Sequence, residues 1–303
     1  MVEQKRNMTS PRKSVTRGPV MLTSKRLDPG LHLAGMTGGK VTVPGLKAFK
    51  ERGQKIAALT CYDYTTARLL NEAGIDVILV GDTLGMVKLG YSSTLPVTVE
   101  DMLYHTRIVA RGNSRALLVS DMPYLSYHVS IQEALRYCGR MLKEGGAEAV
   151  KIEGGAEMVP VIKELLKAKI PVMGHIGMTP QSVNLFGGFK VQGREASAGK
   201  RILSDARALE RAGVFSIVLE CVPSDLGEKI TKAVSVPTIG IGAGPGCDGQ
   251  VLVIDDLLGI TPDPLPRFVR RYARLRESIR SAALAYGQDV RNRRFPNKEH
   301  SYS

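Results

Sequence analysis

Eight short apolar runs, rich in β-branched residues and separated by stretches with helical spacing, constrain the fold of this chain more than any other feature. They are Ile56–Cys61, Val77–Gly81, Ala116–Ser120, Ala149–Ile152, Ile170–Gly174, Ser216–Leu219, Pro237–Gly240 and Gln250–Ile254. Within each run the apolar residues follow one another and do not alternate with polar ones. A strand with one wet face alternates; a strand buried on both faces does not, and such strands belong to parallel sheets covered by helices.

The intervening segments supply those helices. Ser130 and Glu133 form a capping-box signature ahead of 130–144, whose Ile131, Ala134, Leu135, Cys138, Met141 and Leu142 keep helical spacing, and Gly145-Gly146 ends it. Segments 156–168 and 199–212 carry similar stripes. One further helix is expected over 266–287, with Phe268, Val269, Tyr272, Leu275 and Ile279 as its apolar face. The crossover between the last two strands is short, and 244–249 leave little room for helix. Eight strands alternating with helices predict a single (β/α)8 TIM-type barrel of α/β class, spanning 41–297.

The net charge of +13 invites a nucleic-acid partner, but its placement argues against one. Residues 1–40 carry eight Lys/Arg against two Asp/Glu, and 267–303 carry ten against three, so the stretch between them is balanced. The reading is a flexible basic N-terminal tail at 1–40, a barrel, and a frayed end at 298–303. No run reaches the roughly 18 apolar residues of a membrane span, and the first thirty residues lack a secretory apolar stretch, so a cytoplasmic enzyme is expected. The four cysteines, Cys61, Cys138, Cys221 and Cys247, are scattered without a CxxC pair, which suits reduced thiols.

Barrel enzymes build their sites at the C-terminal ends of the strands. The polar residues there are Tyr62 and Asp63, Asp82 and Thr83, Asp121, Lys151 and Glu153, His175, and Glu220, with the loop Gly240-Ile241-Gly242-Ala243-Gly244 after strand seven. Any one Asp after a strand is more often a helix cap or turn residue. Several carboxylates at one mouth repel unless a cation offsets them, and oxygen donors without paired Cys or His suit Mg²⁺. Lys151 and Glu153, two apart on a strand, share a face; inside a barrel they are either a buried ion pair or functional. Glu220 follows Ile217-Val218-Leu219, surroundings that would raise its pKa and suit a general base. His105 and His128 read as structural, and the glycine loop does not follow the GxGxxG pattern into a long helix.

Segments Val80-Gly81-Asp82-Thr83-Leu84-Gly85, Ser120-Asp121-Met122-Pro123, Val150-Lys151-Ile152-Glu153-Gly154-Gly155, Gly174-His175-Ile176-Gly177-Met178-Thr179-Pro180-Gln181-Ser182-Val183-Asn184, Gly187-Gly188-Phe189-Lys190-Val191-Gln192-Gly193-Arg194 and Leu219-Glu220-Cys221-Val222-Pro223 together resemble the ketopantoate (3-methyl-2-oxobutanoate) hydroxymethyltransferase family, from about 44 to 297. The string from Thr179 to Gly193 is the most specific part. The resemblance implies transfer of a one-carbon unit from 5,10-methylenetetrahydrofolate to 3-methyl-2-oxobutanoate, giving 2-dehydropantoate in pantothenate synthesis. It also implies Mg²⁺-assisted enolate chemistry and a homodecamer. Carried over by position, Asp82, Asp121 and Glu153 would bind Mg²⁺; Asp82, Thr83, Asp121, Lys151 and His175 would meet the oxo acid; Glu220 would accept the proton. Thr83 departs from the family's usual Ser, keeping the hydroxyl but adding a methyl beside the substrate. A lyase or mutase of the phosphoenolpyruvate mutase/isocitrate lyase type is the competing enzyme reading, but its cysteine motif is missing here. A basic-tailed nucleic-acid binder or scaffold is the non-enzyme alternative, and the balanced middle of the chain disfavours it.

Overall fold

A computed structural model describes residues 39–302. Eight strands, β1 (Ile56–Thr60), β2 (Val77–Val80), β3 (Leu117–Asp121), β4 (Ala149–Glu153), β5 (Val172–Gly177), β6 (Ser216–Glu220), β7 (Thr238–Ile241) and β8 (Gly249–Leu252), pair in chain order. All pairs are parallel, and β8 closes on β1 with Ile56 opposite Gly249. The expected (β/α)8 barrel is the fold, and each expected strand lies within two or three residues of its place.

Two apolar cores explain the unbroken runs. Ala58, Val77, Leu79, Leu117, Val119, Ala149, Met173, Val218, Ile239 and Val251 fill the barrel interior. The residues between them in sequence, such as Ile78, Leu118, Val150, Val172 and Ile217, join the core under the helices. Successive side chains point to opposite faces, and both faces are dry. The helix Val43–Glu51, capped by Thr42 and opened by Pro44, sends Leu46 and Phe49 into the interior cluster from the side of the strand N-termini. Its Lys50 ammonium donates to the Thr231, Val234 and Val236 carbonyls beneath β7, which fixes this plug.

The outer helices match their sequence signals. Ile131–Lys143 starts where Ser130 Oγ accepts from Glu133 N, and buries Ala134, Cys138 and Met141. Ala196–Ala212 ends at Gly213 in the left-handed conformation, φ 104°. Val159–Lys167 follows a 3-10 turn at Ala156–Met158. No helix lies between β7 and β8.

The 266–287 expectation needs correction. The helix there runs Leu275–Arg291, and none of its residues is buried. Tyr272 N and Leu275 N donate to the carbonyls of Leu257 and Leu258 at 2.8 and 2.9 Å. Those tertiary bonds claim the donors that a helix begun at 266 would need, so Phe268, Val269 and Tyr272 precede the helix. Phe268 instead packs beside Gly242. The expected basic tail at 1–40 lies outside the described residues except for Gly39 and Lys40, and the Lys40 ammonium donates to Ala116 O at 2.6 Å. At the other end, 298–300 form a single 3-10 turn capped by the Asn297 side chain. No described helix is long and apolar enough to cross a membrane.

Candidate active site

Alternation along the strands places the charged residues. On β3 the inward line runs Leu117, Val119, Asp121; on β4 it runs Ala149, Lys151, Glu153; on β5, Met173 then His175; on β6, Val218 then Glu220. Asp82 lies just past β2 and joins them. Asp82, Asp121, Lys151, Glu153 and His175 are each at most 5% exposed. Together with Thr83 and Glu220 they line one cleft at the strand C-termini, walled by Leu79, Val218, Ile241 and Val251. Thus every residue that the family resemblance assigned to the site is brought to one place.

Lys151 is the hub. Its ammonium lies 3.2 Å from Asp121 Oδ1, 3.7 Å from Glu153 Oε1 and 3.0 Å from His175 Nδ1. Burial alone would lower its pKa, but Asp121, Glu153, Asp82 and Glu220 hold it above the ordinary lysine value. The carboxylates split. Burial, then the charges of Asp121 and Glu153, pushes Asp82 well above the usual carboxylate range. Burial also raises Asp121, against the pull of Lys151. Glu153 goes the other way: burial would raise it, but His175, Lys151 and the Gln181 amide hold it low. For His175, burial and Lys151 disfavour the charged ring, and the Glu153 and Glu220 carboxylates outweigh them and raise it. One ammonium and one imidazole thus face four carboxyl groups, and full ionisation of all four would leave a deficit of positive charge, which on top of burial raises Asp82 and Asp121.

Glu220 faces His175, with Oε2 3.3 Å from Nε2, and not only an apolar wall. The backbone aims it. Gly177 has φ 98°, and a Cβ there would collide with Glu220 O, so only glycine lets the ends of β5 and β6 approach this closely. Cys221, directly after the glutamate, sits at φ 47°, a strained conformation for a residue with a side chain.

The donor set suits a hard divalent cation. Asp121 Oδ1 and Glu153 Oε1 are buried oxygens without a hydrogen-bond partner. Asp121 Oδ2 accepts from Asp82 N at 3.0 Å, while Asp121 Oδ1 and Glu153 Oε1 face the Lys151 ammonium at 3.2 and 3.7 Å. Among the described residues no three His, Cys, Asp or Glu side chains stand as a ready-made metal cage. Mg²⁺ does not need one: it keeps several waters and takes one or two carboxylates.

Other sequence candidates find structural roles. Asp63 caps the helix Tyr64–Glu72 by accepting from Thr66 N at 2.8 Å. His105, on the helix Val99–Gly112, holds Tyr62 O through Nδ1. Gly244 is glycine because any side chain there would strike Ser224. Burial pushes the thiols of Cys61, Cys138 and Cys221 up to about 12, which removes them as nucleophiles at neutral pH. Thr83 leads into the short helix Leu84–Val87 and makes no capping bond, so its hydroxyl is uncommitted to the cap.

Sequence reasoning gave no role to Gln181, which binds two of the site carboxylates, or to Tyr127, which binds Gln181. Gln181 lay within a quoted motif, but only the fold shows what it touches. Both residues, with Glu153, also line a larger neighbouring cleft of about 410 Å³.

The chain matches the ketopantoate hydroxymethyltransferase family over residues 40–298. It is 55% identical to the 3-methyl-2-oxobutanoate hydroxymethyltransferase of Carboxydothermus hydrogenoformans, covering 87% of this chain and 96% of the relative. It is 53% identical to the enzyme of that name from Syntrophus aciditrophicus, over 88% and 97%. Among solved structures it is similar to 2,3-dimethylmalate lyase, of the phosphoenolpyruvate mutase/isocitrate lyase superfamily, with TM-score 0.56, 15% identity, and coverage of 86% and 88%. Phosphonopyruvate hydrolase follows the same fold at TM-score 0.55 and 13% identity, over 85% and 92%. At such identities the likeness concerns the fold alone. The chain belongs to the ketopantoate hydroxymethyltransferase family and is a transferase.

Proposed function

We propose that this transferase moves a hydroxymethyl group from 5,10-methylenetetrahydrofolate to 3-methyl-2-oxobutanoate, giving 2-dehydropantoate for pantothenate synthesis. The observation that carries this reading is the convergence of Asp82, Asp121, Glu153, Lys151, His175 and Glu220 on one buried cleft. The names of relatives more than half identical over nearly their whole length support it.

Asp82, Asp121 and Glu153 would hold Mg²⁺, directly or through its waters. A divalent cation held by these residues would supply Lewis-acid polarisation of the keto oxygen, lowering the cost of removing the proton at C3. Lys151 adds a fixed positive charge where the oxo acid carries negative charge, in a site where low polarity strengthens the attraction. Thr83 offers its hydroxyl to the same substrate, and His175 lines the pocket and keeps Glu220 in place. Glu220 takes the C3 proton. Water releases the donor's methylene carbon as a formaldehyde-level C=O, both its C–N bonds breaking and both folate nitrogens regaining hydrogen; the electron pair left at C3 bonds to that carbon as the C=O pair moves to oxygen, which takes the proton held by Glu220. Atoms balance with one water consumed.

Assembly as a homo-oligomer, a decamer by the family pattern, belongs to the same proposal. Its support is the helix Leu275–Arg291, which buries none of its residues and exposes Ile279, Leu284, Tyr286 and Val290. A cytoplasmic place, without a membrane or nucleic-acid partner, completes the reading.

The test is formation of 2-dehydropantoate from the two substrates, with Mg²⁺ and with a chelator. Product that depends on the metal is expected. Folded protein that makes none with Mg²⁺ present would overturn the substrate assignment, and Thr83 would be the first position to revert to Ser.

A further inference from the structure

Gln181 reaches across the mouth of the barrel from the loop after β5 to carboxylates that follow β2 and end β4. Its side-chain Nε2 donates to Asp82 Oδ2 and to Met122 O, both at 2.9 Å. Its backbone N–H donates to Glu153 Oε2 at 3.1 Å. Its Oε1 accepts from the Tyr127 hydroxyl at 2.8 Å. Tyr127 is itself fixed, because its oxygen accepts from Glu153 N at 3.2 Å. Gln181 is 7% exposed and Tyr127 is fully buried.

The amide can sit only one way. Turned over, it would place its carbonyl oxygen against the Met122 carbonyl, an acceptor with no hydrogen to share, and would take from the Tyr127 hydroxyl the oxygen it donates to. In the observed orientation both amide hydrogens, the amide oxygen and the backbone N–H are all used. The chain of bonds runs Glu153 N–H to Tyr127, Tyr127 O–H to Gln181, and Gln181 N–H to Asp82, and returns to Glu153 through the Gln181 backbone.

A pattern results across all three acids. Each has one oxygen tied to an N–H: Asp82 Oδ2 and Glu153 Oε2 to Gln181, and Asp121 Oδ2 to Asp82 N. Asp121 Oδ1 and Glu153 Oε1 are buried and without a hydrogen-bond partner, and both face the Lys151 ammonium, at 3.2 and 3.7 Å, with His175 Nδ1 3.4 Å from the glutamate oxygen. Fixing one oxygen of a carboxylate decides where the other points, which is how groups behind a metal's ligands tune its affinity.

We propose that Gln181, its amide oriented by Tyr127, is a positioning residue that sets the Asp82 and Glu153 carboxylates for a shared divalent cation. The inference rests on the metal reading given above. Gln181 touches neither substrate nor cation in this role; it acts through the two carboxylates.

The experiment measures Mn²⁺ affinity by electron paramagnetic resonance on the full chain without substrates, for wild type, Gln181→Met and Tyr127→Phe. Thermal unfolding of the metal-free proteins runs alongside. Methionine keeps length and bulk but makes none of the amide's bonds. Its dissociation constant for Mn²⁺ is expected to rise about 10- to 100-fold, and that of Tyr127→Phe to rise less, by up to about tenfold. Folded Gln181→Met that binds Mn²⁺ within twofold of wild type overturns the inference and leaves the metal reading intact. Wild type that binds no Mn²⁺ overturns both. Should Gln181→Met fail to fold, the Tyr127→Phe affinity decides, and an unchanged value overturns the inference.

Discussion

The two halves of the barrel interior are built on the same strands by the same alternation, and they do opposite things. The lower half, nearer the strand N-termini, is Val77, Leu117, Ala149 and Met173 over the Leu46 and Phe49 plug. The upper half, one or two inward positions further along each strand, is Asp121, Lys151, Glu153, His175 and Glu220. Below, burial stabilises the chain by removing apolar surface from water. Above, burial costs free energy, because charges lose their hydration and only partly recover it from each other. The raised pKa values of Asp82 and Asp121 are a sign of that cost. One half supports the fold, and the other uses the rigidity so obtained to hold charges in a dry cleft.

The contrast can be broken at four points. The largest effect is expected at Glu220→Gln. Exchange of the C3 proton of 3-methyl-2-oxobutanoate with solvent, followed by NMR, should fall by about 10²–10⁴-fold, while Mg²⁺ and oxo-acid binding persist. Undiminished exchange would remove Glu220 as the base. Next comes Asp82→Asn, read by calorimetry: Mg²⁺ affinity should fall by about two orders of magnitude. Its metal-free stability should stay within about 1 kcal/mol of wild type, since the lost group is one that burial disfavours. A large loss of stability with intact Mg²⁺ binding would reverse the roles assigned to the two halves.

Leu117→Ala probes the lower half. Urea unfolding should show about 2–5 kcal/mol lost, with Mg²⁺ affinity unchanged; weakened metal binding would show that the halves are coupled. The smallest effect concerns pH. The folded chain raises Asp82 and Asp121 above their ordinary values, so it favours their protonated forms. Their contribution to metal-free stability therefore falls as pH rises from the ordinary value through the raised one. A cation reverses that penalty and competes with protons. The rise in Tm caused by Mg²⁺ should be a few degrees larger at pH 8 than at pH 6. An equal or smaller rise at pH 8 would mean that these carboxylates are already ionised at the lower pH.

Much of the site was legible because strand periodicity is local. Lys151 and Glu153 share a face by their spacing alone, and Asp121 and Glu220 end apolar runs that had to be strands. Gln181 was not legible in this way. It lies after β5 in the single 3-10 turn Pro180–Ser182, too short for a period to say which way a side chain points, and its partners Asp82 and Tyr127 are 99 and 54 residues away. The 266–287 segment failed for a related reason. Its stripe of apolar residues satisfies a helical count, but Leu257 and Leu258 offer carbonyls that a local pattern cannot foresee.

The sequence by itself determined the eight-strand parallel barrel, the positions of its clearest helices, the mouth where the charged residues converge and the residue types gathered there. Those follow from periodicities of two and 3.6 residues and from the cost of leaving apolar runs in water. Only the tertiary structure decided which carboxylate oxygens meet an N–H and which face Lys151, that Glu220 faces His175, and where the last helix begins. Each of these depends on hydrogen bonds between residues far apart in the chain, whose geometry exists only once the barrel has closed.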